Sequence, residues 1–380
     1  MKAAIATGIE NIDEFLHVKD DWTKPTLATA IDGKTGKLVS KLQQDDPHTH
    51  MIIKVLACAL APGDCRLFRG KTDMAQLPKT GRPYVIGSDI CGIITEISET
   101  TPTTTPEEHY FQVGDKIIAR FDEPQPHGMC AEYACVKTNL SEKCPTSIPA
   151  IEACTLPASA AAAKLVAQRY VHPNDRVLLL GASGGVGTFF CQYAKLQGAS
   201  FLAATTTQSQ LATSLGVDRV IDYRNENWWE LESEFQDEPF DVVVDLVNGQ
   251  NWQLGACSGT KVLKRKATYV QLFTGVETEI DMRRGVLSMI PFIFLLVGRS
   301  IYSKFHPTCP KWTLPQALDL QPGDLKGILA DVALKRIRVV LDPASPFSFD
   351  TKSVRQAMKL QESIHAHGKV VVEIAKDDES

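Results

Sequence analysis

The stretch that most constrains the fold is Arg176–Gly198, with the sequence RVLLLGASGGVGTFFCQYAKLQG. Its first five residues form a short apolar run typical of a buried parallel strand, and Val186–Leu196 has the apolar spacing of a helix. Gly181, Gly184 and Gly187 separate these two elements. A strand, a glycine turn and a helix in this order predict a dinucleotide site, because the helix start presents free N–H groups to phosphates.

Each glycine of this turn has its own predicted role. Gly181 permits the sharp turn, Gly184 lets the backbone approach a pyrophosphate, and Gly187 lets the helix pack against the strand. We therefore expect the whole loop to bind the cofactor, which makes the predicted contacts Gly181, Ala182, Ser183, Gly184, Gly185, Val186 and Gly187.

Length and charge exclude several classes of protein. A chain of 380 residues has room for about two domains, and its net charge of −5 gives no reason to expect a nucleic acid or an anionic membrane as partner. The ten cysteines include no C-x-x-C pair, and the first residues have neither a secretory core nor a transit-peptide composition. These features predict reduced thiols in the cytoplasm.

One segment is unusually apolar. Val286–Val297, VLSMIPFIFLLV, would be about 18 Å long as a helix, whereas the hydrocarbon core of a bilayer is about 30 Å thick. Pro291 interrupts it as well. We expect a buried or interface helix here rather than a transmembrane segment, with peripheral membrane contact as the lesser alternative.

The pattern of the chain changes near residue 150. Before it, short apolar runs such as Met51–Leu60, Ile90–Ile97 and Lys116–Arg120 predict a β-rich domain. After a predicted helix at Ala153–Tyr170, strands and helices alternate, which predicts a parallel sheet with right-handed crossovers. The predicted strands are Arg176–Leu180, Ser200–Ala204, Arg219–Ile221, Phe240–Asp245 and Ala267–Phe273.

The C-terminal part returns to a different pattern. We predict a helix around Leu325–Arg336, a strand at Arg338–Leu341, a helix at Thr351–Ile364 and a strand at Lys369–Ile374. This tail suits the first domain better than the parallel sheet. The predicted domains are therefore residues 1–150 with 308–380, and residues 151–307 inserted between them, with the active-site cleft between the two parts.

Several motifs resemble those of one family. ALAPGDCRLFRG (Ala59–Gly70) resembles LNPxDxxxRxG, and VIGSDICGIITEI (Val85–Ile97) resembles PxxxGxDxxGxV. VGDKIIAR (Val113–Arg120) resembles VGDxV, and GASGGVG (Gly181–Gly187) resembles GAxGGVG. Over nearly its whole length the chain resembles a medium-chain dehydrogenase/reductase of the zinc-free quinone-oxidoreductase branch. PFSFD (Pro346–Asp350) and HAHGKVVVEI (His365–Ile374) resemble the group of the reticulon-interacting mitochondrial oxidoreductase.

The resemblance implies both a fold and an activity. The fold would be α/β, a doubly wound Rossmann sheet inserted into a GroES-like β-barrel domain. The activity would be reduction of a quinone or of an enone or enoyl double bond by NADPH, in a protein that is often a homodimer.

The sequence argues against zinc. A catalytic zinc needs three protein ligands. In the zinc-dependent members of this family, the catalytic ligands lie in a motif that resembles C-x-x-D and in a later strand that contains G-H-E. Here Ala61 occupies the first position and Gly87–Ser88–Asp89 the strand, so the thiolate and the imidazole are missing. A zinc alcohol dehydrogenase with displaced ligands is the disfavoured alternative.

The second strand of the parallel sheet indicates which nicotinamide cofactor binds. NAD-binding domains usually place an acidic residue there to bond the ribose 2′-hydroxyl, whereas this chain has AATTTQSQ (Ala203–Gln210). Thr205, Thr206 and Ser209 offer hydroxyl groups to a 2′-phosphate. In the family resemblance, Tyr223 occupies a position near that phosphate, and Arg224 beside it supplies positive charge. We therefore expect NADP(H).

Three further contacts follow from position. Asn248 follows one predicted parallel strand and Phe273 ends another, at the side of the sheet where such folds bind ligands. The resemblance places Lys369 near the pyrophosphate, where a cation would offset negative charge.

The residues around Ala61 depart from the family pattern. Where the family often has an Asn and a Tyr, this chain has Ala61 and Arg66, and Phe68 replaces an Arg. Arg66 is the candidate catalytic residue, as a donor to the oxyanion that develops on a carbonyl. The apolar surroundings favour a small hydrophobic quinone or enone. The alternative is a nucleotide-binding scaffold or regulatory protein of the same fold with little catalysis.

Overall fold

A computed structural model provides the structure and describes residues 1–27, 30–31, 38–39, 50–72, 83–98, 110–121, 128–272, 280–281, 287, 289–315 and 323–377. The chain divides into two compact units, Met1–Ala158 with Leu320–Ser380, and Ser159–Asp319. The second unit is therefore an insertion in the first. The bounds predicted from the sequence, 150/151 and 307/308, lie 8 and 12 residues earlier at the two junctions.

The described strands are β1 Ala3–Ala6, β2 Leu16–Lys19, β3 Ala30–Ile31, β4 Leu38–Val39, β5 His50–Leu60, β6 Lys71–Thr72, β7 Tyr84–Val85, β8 Asp89–Ile97, β9 Lys116–Arg120, β10 Tyr133–Lys137, β11 Ser141–Lys143, β12 Arg176–Leu180, β13 Phe201–Thr205, β14 Arg219–Ile221, β15 Phe240–Asp245, β16 Leu263–Gln271, β17 Ile280–Asp281, β18 Lys311–Thr313, β19 Phe347–Ser348 and β20 Val370–Glu373. The helices are α1 Ile12–Phe15, α2 Pro62–Phe68, α3 Ala150–Ala153, α4 Ala161–Tyr170, α5 Gly185–Leu196, α6 Ser209–Ser214, α7 Glu232–Phe235, α8 Met289–Phe305, α9 Asp324–Ala333 and α10 Thr351–Glu362.

The first unit is built around β5. This strand is apolar on both faces and nearly all of it is buried, because β8, β10 and β20 pair with it in one seven-stranded sheet. The sheet order is β11-β9-β8-β5-β20-β19, with β10 also paired to β5. A separate sheet, β2-β1-β7, packs Ala3, Ile5 and Val85 together with Ala131.

The C-terminal residues belong to this first unit. Val370 and Val371 of β20 pair antiparallel with Leu60 and Ala59 of β5. Asp350 caps helix α10, because its carboxylate accepts a hydrogen bond from the Ser353 N–H, and the helix buries one apolar face in the core of the unit.

The second unit contains a six-stranded parallel sheet in the order β14-β13-β12-β15-β16-β18. In chain order within the unit this is 3-2-1-4-5-6, the order of the Rossmann fold. Val177–Leu180 pair with β13 on one side and β15 on the other, so the strand before the glycine turn is central, and these four residues are apolar and buried. The predicted fold class, a Rossmann sheet inserted into a GroES-like domain, is confirmed.

Most predicted elements form with small shifts at their ends, and three differ. The predicted helix at Ala153–Tyr170 is interrupted by a π-helical turn at Leu156–Ala160, which contains Pro157. At Arg338–Leu341 the described backbone forms only a bridge between Leu341 and Lys369. The apolar segment forms α8, which begins at Met289 and continues to Phe305. No helix in the described part of the chain is long and apolar enough to cross a membrane.

Candidate functional site

The glycine turn has the geometry that its sequence predicts. Gly181 follows β12 with a φ of +94°, a conformation that favours glycine. At Gly187 an added Cβ would overlap the carbonyl oxygen of Gly181, so only glycine lets the helix lie this close to the strand. At Gly184 the nearest atom to such a Cβ is the Gly181 carbonyl oxygen at 3.8 Å, an ordinary van der Waals contact, so this side of the loop is not crowded.

The turn is fixed by the end of the neighbouring strand. The Gly181 N–H donates to the hydroxyl oxygen of Thr205 at 3.0 Å, and the Ala182 N–H donates to the Thr205 carbonyl at 3.1 Å. Thr205 therefore orders the loop from its position at the end of β13. This role differs from the direct phosphate contact that the sequence predicts for its hydroxyl.

The rest of the loop leads into α5. Ala182 is buried, while Ser183, Gly185 and Val186 are half-buried. Gly184 is the N-terminal cap residue, and the first N–H groups of any helix have no acceptor within the helix. An open cradle in front of these donors, at the positive end of the helix dipole, has the chemistry of a pyrophosphate site. The residues present therefore fit the predicted dinucleotide.

The predicted 2′-phosphate residues differ in their exposure. Thr206 is buried and its hydroxyl accepts a hydrogen bond from the Gln208 N–H at 3.0 Å, so it is used in the turn before α6. Ser209 is exposed at the first position of α6. Tyr223 is 53% exposed after β14, and Arg224 forms an ion pair with Asp222 at 2.7 Å. Hydrogen bonds from Arg224 lower the pKa of Asp222.

Asn248 lies in a loop that Asp245 organises. One carboxylate oxygen of Asp245 accepts the Val247 and Asn248 N–H groups at 2.9 and 2.8 Å, and the other accepts the Tyr269 hydroxyl at 2.5 Å. Asn248 has a φ of +68°, and its side chain is buried. The predicted contact Phe273 lies outside the described residues.

A polar network that the sequence did not predict holds the Asn248 loop. Gln271, at the end of β16, donates to the side-chain oxygen of Asn248. Its own oxygen accepts Arg299 of α8 at 2.9 Å and the Trp312 indole at 2.8 Å. The sequence signal that could have predicted this network is Gln271 itself, a polar residue at the end of an apolar strand. The network joins α8 and β18 to the Asn248 loop.

In the first unit, Asp64 organises the stretch that departs from the family pattern. Its carboxylate accepts the Ala61 N–H at 2.8 Å and the Gly87 N–H at 3.2 Å, which fixes the start of α2 beside β8. Burial raises the pKa of Asp64 to about 6, although these hydrogen bonds and Lys369 lower it. Arg66 lies in the last turn of α2, half-buried, where its charge also lowers the pKa of Asp64.

Lys369 is part of a buried group of charges. It is 3% exposed, and its ammonium donates to the Leu60 carbonyl at 3.3 Å. Asp89 is 1% exposed; burial raises its pKa to about 6, and the nearby Lys369 and Arg120 lower it. Lys369 therefore balances the buried carboxylates Asp64 and Asp89. The sequence predicts a phosphate contact for this lysine and does not predict this second role.

The positions that bind zinc in zinc members hold Ala61 and Ser88. Cys154 is buried near Asp89, and burial raises the pKa of its thiol, which disfavours the thiolate that metals bind. Among the described residues no group of three or more His, Cys, Asp and Glu side chains could hold a metal ion.

Comparison with known proteins gives the family. Residues 47–181 match the model "Alcohol dehydrogenase GroES-like domain", and residues 215–372 match "Zinc-binding dehydrogenase". The chain is 30% identical over 333 residues to 2-methylene-furan-3-one reductase of Solanum lycopersicum, covering 86% of this chain and 72% of the relative. The chain belongs to the medium-chain dehydrogenase/reductase superfamily.

The chain is also similar to a mitochondrial oxidoreductase in sequence and to a quinone oxidoreductase in structure. NAD(P)H oxidoreductase RTN4IP1, mitochondrial, of Bos taurus is 30% identical over 347 residues, covering 85% of this chain and 81% of the relative, so the predicted group is confirmed. The Escherichia coli quinone oxidoreductase complexed with NADPH superposes with a TM-score of 0.69 at 17% identity, covering 98% of this chain and 100% of that one. At that identity the superposition confirms the fold of the superfamily alone.

Proposed function

We propose that this protein is a zinc-independent oxidoreductase that uses NADPH to reduce a quinone or an α,β-unsaturated carbonyl compound. The glycine turn supports this proposal most directly, because its open backbone at Gly184 and the start of α5 match a pyrophosphate. The relatives' names, a furanone reductase and an NAD(P)H oxidoreductase, agree with it.

The bound nicotinamide would supply a hydride, so the protein supplies position and charge. N–H groups at the start of α5 would hold the pyrophosphate, and Thr205 keeps their loop in place. Asn248 would contact the cofactor from the end of β15, oriented by Asp245 and Gln271. Lys369 and Phe273 remain proposed cofactor contacts. Because Lys369 is 3% exposed, little of its surface is accessible to a cofactor.

Preference for NADPH over NADH is part of the proposal. The end of β13 is Thr205 followed by Thr206, without a carboxylate to repel a 2′-phosphate. Of the predicted 2′-phosphate residues, Ser209, Tyr223 and Arg224 are exposed and the two threonines are buried. We therefore assign the 2′-phosphate to the exposed three. Arg224 would exchange its ion pair with Asp222 for the phosphate.

For the acceptor we propose a small hydrophobic molecule with a conjugated carbonyl. Negative charge develops on its carbonyl oxygen as hydride arrives, and Arg66 is the proposed donor to that oxygen. Arg66→Met would then lower kcat more than it raises KM. Arg66→Lys, which keeps the charge, would restore part of kcat.

We also propose that the reaction needs no zinc, although one matching family model is described as a zinc-binding dehydrogenase. The support is the donor set, since Ala61 and Ser88 stand where zinc members have ligands. Metal analysis of the active purified protein tests this: activity without bound zinc is expected, and one zinc per chain would refute the proposal.

The main experiment measures NADPH binding and turnover separately. Gly184→Leu should raise the Kd for NADPH at least tenfold with little change in the melting temperature, because an added Cβ meets no atom closer than 3.8 Å. Gly184→Ala, which adds a single carbon in front of the backbone, is the graded comparison and should raise the Kd less than Gly184→Leu does. Oxidation of NADPH is then followed with 9,10-phenanthrenequinone and a simple enone. Tight binding without turnover on either would favour the alternative, a nucleotide-binding scaffold.

Two further parts of the proposal are a homodimer and a cytoplasmic location. All ten cysteines are free, which suits a reducing compartment. Relatives include a protein named as mitochondrial and one named as chloroplastic, so microscopy of a tagged full-length chain is the appropriate test of location.

A further inference from the structure

The Asn248 loop lies directly beside the glycine turn. An added Cβ at Gly181 would lie 2.9 Å from a methyl group of Val247 and 3.5 Å from the Cβ of Leu246. These residues follow β15, which pairs with β12, and the two strands are the first and the fourth of the order 3-2-1-4-5-6. In such sheets a crevice opens between the carboxyl ends of these two strands, and ligands bind there.

The sheet order also indicates which half of a dinucleotide passes this loop. The proposed 2′-phosphate residues lie beyond the ends of β13 and β14, on one side of β12. The loop after β15 lies on the other side of β12. With the pyrophosphate at the glycine turn, the adenine half therefore faces β13 and the nicotinamide half faces Asn248.

The backbone of Asn248 is already used within the loop. Its N–H donates to Asp245 at 2.8 Å, and its carbonyl accepts the side-chain amide of Asn251 at 2.7 Å. The side chain of Asn248 is therefore the part that can meet a ligand.

The partners of Gln271 fix the orientation of its side-chain amide. The guanidinium of Arg299 and the indole of Trp312 can only donate hydrogen bonds, and both donate to the oxygen of Gln271, at 2.9 and 2.8 Å. If the amide were rotated by half a turn, its NH₂ group would face these two donors in a buried place, at the cost of both hydrogen bonds. The amide nitrogen of Gln271 must therefore point towards Asn248.

The same reasoning fixes Asn248. The nitrogen of Gln271 donates to Oδ1 of Asn248, so Nδ2 of Asn248 points away from Gln271. Among the described residues none accepts a hydrogen bond from this Nδ2, and the atom is not fully enclosed. Asn248 thus presents a donor, and not an acceptor, at the carboxyl end of β15.

We propose that Arg299 and Trp312, acting through Gln271, hold the side chain of Asn248 as a hydrogen-bond donor to an oxygen in the nicotinamide half of the cofactor. That oxygen is the carboxamide carbonyl or a ribose hydroxyl. The inference rests on the proposed use of NADPH. It makes Gln271, Arg299 and Trp312 positioning residues, which act on the cofactor through Asn248.

The first experiment reverses the polarity of Asn248 without replacing it. In Gln271→Glu one carboxylate oxygen still accepts Arg299 and Trp312, while the other can only accept. Asn248 must then rotate to donate to that oxygen, which turns its own oxygen towards the cofactor. We expect the Kd for NADPH, measured by calorimetry, to rise at least tenfold. The melting temperature should change little, because every partner keeps a hydrogen bond and Arg299 balances the new charge.

Two controls separate polarity from charge and from misfolding. Gln253→Glu adds the same charge at an exposed position in the turn after the loop, and its Kd for NADPH should stay close to that of the wild type. Adenosine 2′,5′-bisphosphate lacks the nicotinamide half. It should bind to the wild type and to Gln271→Glu with equal affinity.

The second experiment changes Asn248 and identifies the acceptor. Asn248→Asp keeps the bond from Gln271 and places an acceptor where Nδ2 was, so the Kd for NADPH should again rise at least tenfold. The ligand 2′-phospho-ADP-ribose has the second ribose but no nicotinamide. If Asn248→Asp weakens this ligand as much as NADPH, the acceptor is a ribose hydroxyl; if it weakens NADPH alone, the acceptor is the carboxamide. Both results support the donor role.

Three results would overturn the inference. If Gln271→Glu binds NADPH as tightly as the wild type does, the polarity of Asn248 is unimportant, although the proposed use of NADPH stands. If Gln271→Glu weakens NADPH and the bisphosphate equally, the defect lies outside the nicotinamide half. If the wild type binds neither ligand, the proposed function fails and this inference fails with it.

Discussion

At Gly187 the turn requires a residue without a Cβ. The Cβ of Gly187→Ala would overlap the Gly181 carbonyl and lie 2.8 Å from that of Ala182. We expect the substitution to lower the free energy of unfolding by about 2 kcal/mol, because overpacking forces the strand and helix apart. Urea unfolding measures this. Gly184→Ala, whose Cβ would meet no atom closer than 3.8 Å, is the control, and an equal loss in both variants would show that the fit at Gly187 is unimportant.

Asp89 predicts an unusual pH dependence. Its pKa is raised by burial to about 6 in the folded chain, whereas an unfolded aspartate has a pKa of about 3.9. The folded state therefore binds the proton more tightly, so this residue's contribution to stability increases as pH falls through 6 towards 4. Relative to Asp89→Asn, the wild type should gain about 1 kcal/mol between pH 7 and pH 5.

The control for this prediction is Asp350, the cap residue of α10, whose pKa is lowered by its hydrogen bonds to Ser353. The contribution of Asp350 to the free energy of unfolding is lost only as pH falls below the pKa of an unfolded aspartate, about 3.9. The difference in unfolding free energy between Asp350→Asn and the wild type should therefore be constant between pH 7 and pH 5. A constant difference for Asp89→Asn as well would contradict the burial argument.

Between elements, Gln271 links β16, α8 and β18 to the Asn248 loop. Gln271→Met would leave Asn248, Arg299 and Trp312 without this partner in a buried place. We expect a loss of about 3 kcal/mol in unfolding free energy, since each buried group left without a hydrogen bond costs on the order of 1–3 kcal/mol. Gln210→Met, at an exposed position, should cost nothing measurable. If the two variants unfold alike, the network is not a structural link.

Elements with strong local signals were predictable from the sequence. The strand Arg176–Leu180 forms with the predicted bounds because its last four residues are apolar, and such a run belongs in the middle of a parallel sheet. The π-helical turn at Leu156–Ala160 was not predictable, since a proline permits several local geometries and the packing selects one. The orientation of α8 was hidden for a similar reason: large apolar residues are spread around most of the helix, and the buried Phe292 and Arg299 show which side is attached.

At the scale of the whole molecule, sequence motifs predicted the glycine turn and the superfamily. They did not predict the buried charges that lie close together in the folded chain. Lys369 was predicted as a phosphate contact from one motif, yet it lies against the carbonyl of Leu60 and near Asp64 and Asp89, which are some 300 residues distant in sequence. Contacts of such separation depend on the sheet β5–β20, which no local pattern encodes. The predicted catalytic role of Arg66 and the predicted cofactor contacts stay predictions.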